Sequence, residues 1–408
     1  MNLFHPRTFS TDWEVMVLDR LDRALDMQKL SAFAGLLSRE SDHPIQLDWN
    51  TLEFALGINA SFAQIWERIR RVTDRAAQVV REFDCDLFPA GAHPTDEMFN
   101  SSHIHVGTIH DESAAIRLET SLLRYAPAFA ALAANSPLAS GRRSEFKSYR
   151  VQHEAHGCTR PNPLRDPALA QPIWGTDTCP KLAGAPTLEI RITDCASSRR
   201  FLAELATFVA AFVHHLGTHV PEDRPAPRAY QDSLTNRWLA ARHGLQATFT
   251  WEARARPVAD ILDEMLDECR EELAALGVRR SDLTLVEKMR TKRICQADFV
   301  IGLAERYPDP ACLTSAYAKL MRHWTVFDEW LETAPALDPT PLPDDDAILA
   351  EHLALIGEGT HFYQSREAMH YPPPVADAVI ERLIEQGLVT REITERHGVR
   401  LSRLRSPE

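Results

Sequence analysis

The sequence predicts an α+β protein, with an antiparallel sheet that has one apolar and one polar face, helices over the apolar face, and a largely helical C-terminal part. Three observations carry this. Short segments of the N-terminal half alternate apolar and polar residues, as strands with one buried face do. Apolar residues at helical spacing fill the stretches between them, and from about residue 232 onward nearly all the periodicity is helical. The 408 residues, 44% hydrophobic and 25% charged, lie in the ordinary range for a globular chain.

In order along the chain, DWEVMVL (12–18) sets Trp13, Val15 and Val17 against Asp12 and Glu14. IQLDWNTLEFAL (45–56) alternates less regularly and carries Glu53. Residues 61–83 place Phe62, Ile65, Ile69, Val72, Ala76, Val79 and Val80 on one helical stripe. HIHVG (103–107) reads as a strand, and 112–134 and 198–217 as helices. TLEIRIT (187–193) is a strand with Leu188, Ile190 and Ile192 on one face and Glu189 and Arg191 on the other. Segments 256–275, 293–306 and 312–333 are the clearest later helices.

LETAPALDPTPLPDDD (331–346), rich in proline and aspartate, reads as a linker. It divides a main domain, 1–335, from a mainly helical extension, 336–408. Within the extension DDDAILAEHLALI and PPVADAVIERLIEQGLV read as helices, whereas TREITERHGVRLSRLR is polar and ends basic. Packing on the core or on a partner subunit is favoured there over a winged helix for nucleic acid. HFYQSREAMHYPPP (361–374) has the aromatic residues and histidines to cap a substrate pocket.

A net charge of −13 argues against nucleic acid as a partner. It leaves room for an anion such as ATP, because bound metal ions reverse the local field. No apolar run approaches the ~18 residues of a membrane span, and MNLFHPRTFSTDWE lacks the pattern of a signal peptide. The seven cysteines, Cys85, Cys158, Cys179, Cys195, Cys269, Cys295 and Cys312, are an odd, scattered set without a CxxC pair. Reduced thiols and a cytoplasmic location are expected. A homo-oligomer is left open.

Alternation assigns each polar residue to a face. Asp12 and Glu14 share one, as do His103 and His105, and Glu189 and Arg191. Such groups are seldom buried unless paired or bound to metal, and carboxylates with imidazole suit Mg²⁺ or Mn²⁺. A single strand of this kind is more often simply a solvated edge, and spacing alone does not make the strands neighbours.

A series of motifs follows the same order as in a known family. It comprises DWEVMVLD (12–19), LEFA with Glu53, GAHP (91–94), HIHVG (103–107), ANSP with Gly141, SYR (148–150), TLEIRITD ending at Asp194, and NRWLAARHGL (236–245). The series resembles the type 2 glutamate–cysteine ligases, or carboxylate–amine ligases, of the glutamine-synthetase-like superfamily. The resemblance spans residue 9 to about 330. It implies that the polar sheet face is an active-site floor, where ATP turns a carboxylate into an acyl phosphate and an amine then forms an amide or peptide bond. It implies Mg²⁺, roughly two or three ions with Mn²⁺ as a substitute, held by Asp12, Glu14, Glu53, His105 and Glu189. Arg191 would meet the γ-phosphate or acyl phosphate beside Glu189. Arg150, with Ser148 and His103, would take the substrate carboxylate, and Arg237 and Arg242 would contact nucleotide phosphate.

The sequence departs from the family pattern at the first acid, which is Asp12, and at Ser10. It departs again at WGTDTCP, where Asp177 or Lys181 stands near the place of an arginine, and at Ala185-Pro186. The expected acid is therefore glutamate or another amino-acid or peptide carboxylate, and the amine is free or peptide-borne. A guanidino-type phosphotransferase and a degenerate binding subunit are the competing readings.

Overall fold

The structure is a computed structural model. It describes residues 4–21, 23–38, 45–48, 50–94, 98–109, 112–139, 142–153, 177–181, 187–218, 227–342, 353, 360–361, 373–394 and 398–403. Gly141, Cys158, Trp174, Ala185-Pro186, the segment DDDAILAEHLALI apart from Leu353 and most of HFYQSREAMHYPPP lie outside the described residues.

The central sheet is built from β1 (Phe4–Leu18), β2 (Ile45–Asp48), β3 (Thr51–Ala55), β4 (Asp86–Phe88), β5 (Ser102–Ile109), β8 (Thr178–Lys181) and β9 (Thr187–Ile190). The short strands β6 (Leu138–Ala139) and β7 (Arg142–Arg143) pair separately. The strand order is β2-β3-β1-β5-β9-β8, with β4 also on β1, and every pairing is antiparallel. The less regular stretch 45–56 is thus a tight hairpin of β2 and β3.

One face is largely apolar, with Thr11, Ser102 and Thr178 buried among the apolar residues. Trp13, Val15, Leu52, Ile104, Val106, Leu188 and Ile190 are fully buried there. Helix α6 (Arg199–Thr218) packs on this face against β1 and β5, and α2 (Phe62–Glu82) packs on α6 in turn. Trp13 anchors the contact, with its Nε1 donating to Ala196 O at 3.1 Å and its ring 5.6 Å from Trp324. α6 corrects one expectation from the sequence: it is long and apolar enough to cross a membrane, yet 89% of its most apolar window is buried inside the protein. Its buried Glu204 is satisfied by Arg200 Nε at 2.7 Å and by the backbone N–H groups of Leu285 and Val286 at 2.8 and 3.0 Å.

The remaining helices follow the periodicity but break at local signals. Residues 112–134 form α3 (Glu112–Leu122) and α4 (Ala126–Ala133), with Pro127 in the first turn of α4, where its missing N–H costs nothing. α5 (Tyr149–His153) and α7 (Pro227–His243) follow in the chain. Residues 256–275 divide at Cys269 into α8 (Val258–Glu268) and α9 (Arg270–Ala275). α10 (Thr284–Lys292) and α11 (Gln296–Arg306) come next, and 312–333 becomes α12 (Pro310–Met321) and α13 (Val326–Thr333).

Two further differences concern the C-terminal part. Residues 334–342 are not a free tether: Lys292 Nζ donates to Leu331, Glu332 and Ala334 carbonyls, and Thr340 N donates to Gln246 O at 2.7 Å. After α14 (Pro373–Glu385), the polar stretch TREITERHGVRLSRLR forms a hairpin of β13 (Val389–Thr394) and β14 (Gly398–Arg403), with β12 (Thr360–His361) on the far side of β14. A two-residue period in so short a segment is hard to tell from a polar coil.

Candidate active site

The register of the sheet gathers the polar residues. Asp12 lies opposite His103 and Ala55, Glu14 opposite Glu53, Gln46 opposite Glu53, and His105 opposite Glu189. Directly opposed residues point to the same face. The expectation that these strands are neighbours is met. The five-residue ligand set, however, divides into two groups.

On the β1–β3 flank, oxygens of Glu14, Asp48 and Glu53 all lie within 4.8 Å of one another. Asp48, which the sequence reading passed over, completes the trio. Its signal was the alternation Ile45-Gln46-Leu47-Asp48 in a hairpin too short to show clear periodicity. Ser101, another residue not foreseen, fixes Glu14: its N–H and its hydroxyl each donate to Glu14 Oε2 at 2.7 Å, while Oε1 lies 3.6 Å from His103 Nδ1. Burial first, then the charge of Asp48, pushes the Glu14 carboxyl up to about 8 against the opposing pull of Ser101. Burial with Asp12 and Asp48 nearby pushes Glu53 up to about 7. Without a cation Glu14 and Glu53 hold their protons more tightly than usual, and hard oxygen ligands at this spacing fit a divalent ion of the Mg²⁺ type.

On the β5–β9 flank the carboxylate is already neutralised. Glu189, 1% exposed, accepts from Arg191 NH1 at 2.8 Å through Oε1. The same oxygen lies 3.3 Å from His103 Nδ1 and 3.7 Å from His105 Nε2. Lys181 Nζ forms an ion pair with Oε2 at 3.0 Å. Asp12 bonds His105 Nε2 at 2.8 Å and belongs with this group rather than with the acid trio. Burial and the positive charges of Arg191 and Arg150 hold His103 well below the usual imidazole value. It is therefore neutral, and 2.6 Å from Ser101 Oγ it orients the hydroxyl that supports Glu14.

The arginines expected at the substrate side are engaged elsewhere. Arg150 donates through Nε to Asp194 Oδ1 at 2.9 Å and through NH2 to Arg191 O at 3.2 Å, and its side chain is buried. Ser148 also donates to Asp194 Oδ1, at 3.0 Å, while Ser136 Oγ and Asn135 N take Oδ2 at 2.8 Å each. A Cβ at Gly91 would meet Ser136 Cβ at 2.9 Å and Asp194 Cβ at 3.0 Å. The motifs GAHP, ANSP, SYR and TLEIRITD therefore converge on one buried carboxylate. Arg237 grips Asp177 at 2.7 and 3.0 Å and donates to Val151 O at 2.7 Å. Arg242 pairs with Glu145 at 3.4 Å, stacks over Trp238, and lines a separate cleft of about 460 Å³ with Lys147, His243 and Gln246. Arg150, expected to take the substrate carboxylate, is held by Asp194, while Arg237 and Arg242, for which a structural role and phosphate contact are equally expected, are held by Asp177 and Glu145; these acids are not visible as neighbours in the sequence.

The family model for glutamate–cysteine ligase family 2 matches residues 95–153 and 176–298. Among curated proteins, "Putative glutamate--cysteine ligase 2" of Mycolicibacterium paratuberculosis is 27% identical over 330 residues, covering 66% of this chain and 86% of the relative. The protein of the same name from Mycobacterium tuberculosis is 26% identical over 327 residues, with 66% and 86% covered. Among solved structures, a glutamate–cysteine ligase from Francisella tularensis in complex with AMP aligns with TM-score 0.52 at 9% identity over 80% of this chain and 92% of that one. A bifunctional glutathione synthetase from Pasteurella multocida aligns with TM-score 0.53 at 13% identity over 80% of this chain but only 52% of that one. The two structures share the fold.

Two outcomes follow from this geometry. Arg150→Ala should lower stability by about 3–5 kcal/mol, the cost of leaving a buried charge unpaired, as read by urea denaturation. An unchanged midpoint would return Arg150 to a substrate role. The second outcome concerns pH. Folded Glu53 holds its proton up to about pH 7, against an ordinary value of 4.5, so the folded state binds more protons between these values. Its contribution is present below the lower value and lost as pH rises through the upper one. Metal-free wild type should thus lose stability relative to Glu53→Gln between about pH 4.5 and 7, and parallel pH profiles for the two would contradict this. In matched sequence, in the order of its motifs and in fold, the chain is similar to glutamate–cysteine ligase family 2.

Proposed function

We propose that this protein joins a carboxylic acid to an amine at the expense of ATP, through an acyl phosphate. The observation that carries the reading is the division of a single sheet face into an acid flank, Glu14, Asp48 and Glu53, and a flank where Arg191 and Lys181 surround Glu189. Phosphoryl transfer to a carboxylate brings several negative charges together, and positioned cations are the means of stabilising it.

Glu14, Asp48 and Glu53 would hold a divalent ion of the Mg²⁺ type, with Glu189 as a further ligand and Asp12 and His105 beside it. Held there, such an ion would supply positive charge against the phosphate oxygens. Arg191, kept in place by its bond to Glu189, would meet the transferring phosphoryl group. A carboxylate oxygen of the acid would attack the γ-phosphorus as ADP leaves. The amine nitrogen would then attack the acyl carbon, phosphate would leave, and the amine would shed a proton. Arg150 and Ser148 serve the site indirectly, through Asp194, which closes the strand carrying Arg191.

Residues 1–335 are read as the catalytic part and 336–408 as an extension. The acid is read as an amino-acid or peptide carboxylate. The altered residues at Asp12, Ser10 and 174–181 favour a pair other than glutamate and cysteine.

The test is phosphate release from Mg-ATP across a matrix of acids and amines, with mass detection of products. Release that needs both partners, with a product at their summed mass less water, is the expected result. Mg-ATP binding without any acid- or amine-dependent turnover would count against ligation. Glu189→Gln and Arg191→Ala should each lower phosphate release at least about a hundredfold with an unchanged circular-dichroism spectrum. Wild-type turnover in either variant would displace the site from this face.

A further inference from the structure

The geometry points to Lys181 as a tethered counter-ion that occupies Glu189 until a divalent cation takes its place. This rests on the reading of the sheet face as a metal-dependent site, and it adds a residue to which neither the motifs nor the matches assign a role.

The two oxygens of Glu189 are held unequally. Oε1 accepts from Arg191 and lies close to both His103 and His105. Oε2 is the looser atom, with a Lys181 ion pair at 3.0 Å and no partner in hydrogen-bond geometry. Lys181 arrives from β8, the edge strand of the sheet. In register it lies opposite Thr187, while Cys179 lies opposite Glu189, so Lys181 reaches Glu189 along the diagonal, a distance suited to a long side chain. Its side chain is 39% exposed although its partner is 1% exposed.

The other basic residues near the face are held differently. Arg150 and Arg237 are buried against Asp194 and Asp177 by several hydrogen bonds each. Arginine keeps such forked geometry, whereas a lysine ammonium is a compact, strongly hydrated charge on a flexible stem. The buried carboxylate needs a cation, but the exposed, flexible lysine can swing away once another cation takes its place. A divalent ion and the ammonium therefore compete for Oε2, since two cations at one carboxylate oxygen repel each other. Once displaced, Lys181 still extends from the same face as Arg191, as a second positive group toward the anionic reactants. Before the ion arrives, it keeps Glu189 charged and aimed without a large structural change.

Mn²⁺ binding to the full-length protein, followed by electron paramagnetic resonance, tests this without turnover. Lys181→Gln should bind the class of Mn²⁺ that is lost in Glu189→Gln roughly three- to tenfold more tightly than wild type, the scale expected on removing one neighbouring charge from a partly exposed site. Lys181→Arg should stay near wild type. Lys319→Gln, which removes an exposed lysine on α12, should leave the affinity unchanged and so controls for net charge. Unchanged or weaker Mn²⁺ binding in Lys181→Gln, with wild type binding normally, would overturn the counter-ion role alone. Wild type that binds no Mn²⁺ on this face would overturn both this role and the metal-dependent reading beneath it.

Discussion

The carboxylate of Asp194 is the interaction on which the polar face depends. It is buried and accepts from Asn135, Ser136, Ser148 and Arg150. It lies four residues beyond the end of β9, and its residue bridges to Ser101, which immediately precedes β5. One acid therefore fixes the ends of the strands that carry Glu189, Arg191 and His103, and it fixes the serine that orients Glu14. A charge so deeply placed is tolerated only when fully paired and hydrogen-bonded. That explains why two motifs far from it along the chain, ANSP and SYR, supply its partners, and why no room is left for a Cβ at Gly91.

Around that anchor the electrostatics are deliberately uneven. Glu14, Asp48 and Glu53 crowd together, and the carboxyls of Glu14 and Glu53 are pushed up by burial and by the charge of Asp48. A few ångströms along the sheet, Glu189 is surrounded by Arg191, Lys181 and two imidazoles. A flank short of positive charge beside a flank that supplies it is the arrangement needed where a multiply charged anion and its cation must lie side by side. The apolar face behind, packed on α6 and pinned by Trp13, keeps the floor rigid.

Much of this was legible because a strand has a period of two. Alternation alone assigned Asp12, Glu14, His103, His105, Glu189 and Arg191 to one side, and the antiparallel register brought them together as expected. Asp48 escaped because its strand has four residues, too few for a pattern to stand out. The arginines were misjudged for a different reason. A sequence displays the charge of Arg150, Arg237 and Arg242 but hides the acid that holds each one: Asp194 is 44 residues from Arg150, and Asp177 is 60 residues from Arg237. Long-range pairing of that kind is decided by tertiary packing. The helical breaks at Pro127 and Cys269 and the C-terminal hairpin were blurred for the opposite reason, since local capping signals there are weak against the dominant helical periodicity.

The central claim is that the acid flank is a cation site and the adjoining basic flank faces the reactants. Crystals grown with Mn²⁺ and a non-hydrolysable ATP analogue, measured at an energy where manganese scatters anomalously, test it most directly. The account predicts an anomalous peak at coordination distance from carboxylate oxygens of Glu14, Asp48 and Glu53, with the analogue's terminal phosphate between it and Arg191. A nucleotide bound on another surface, or a peak that none of those three carboxylates touches, would contradict it.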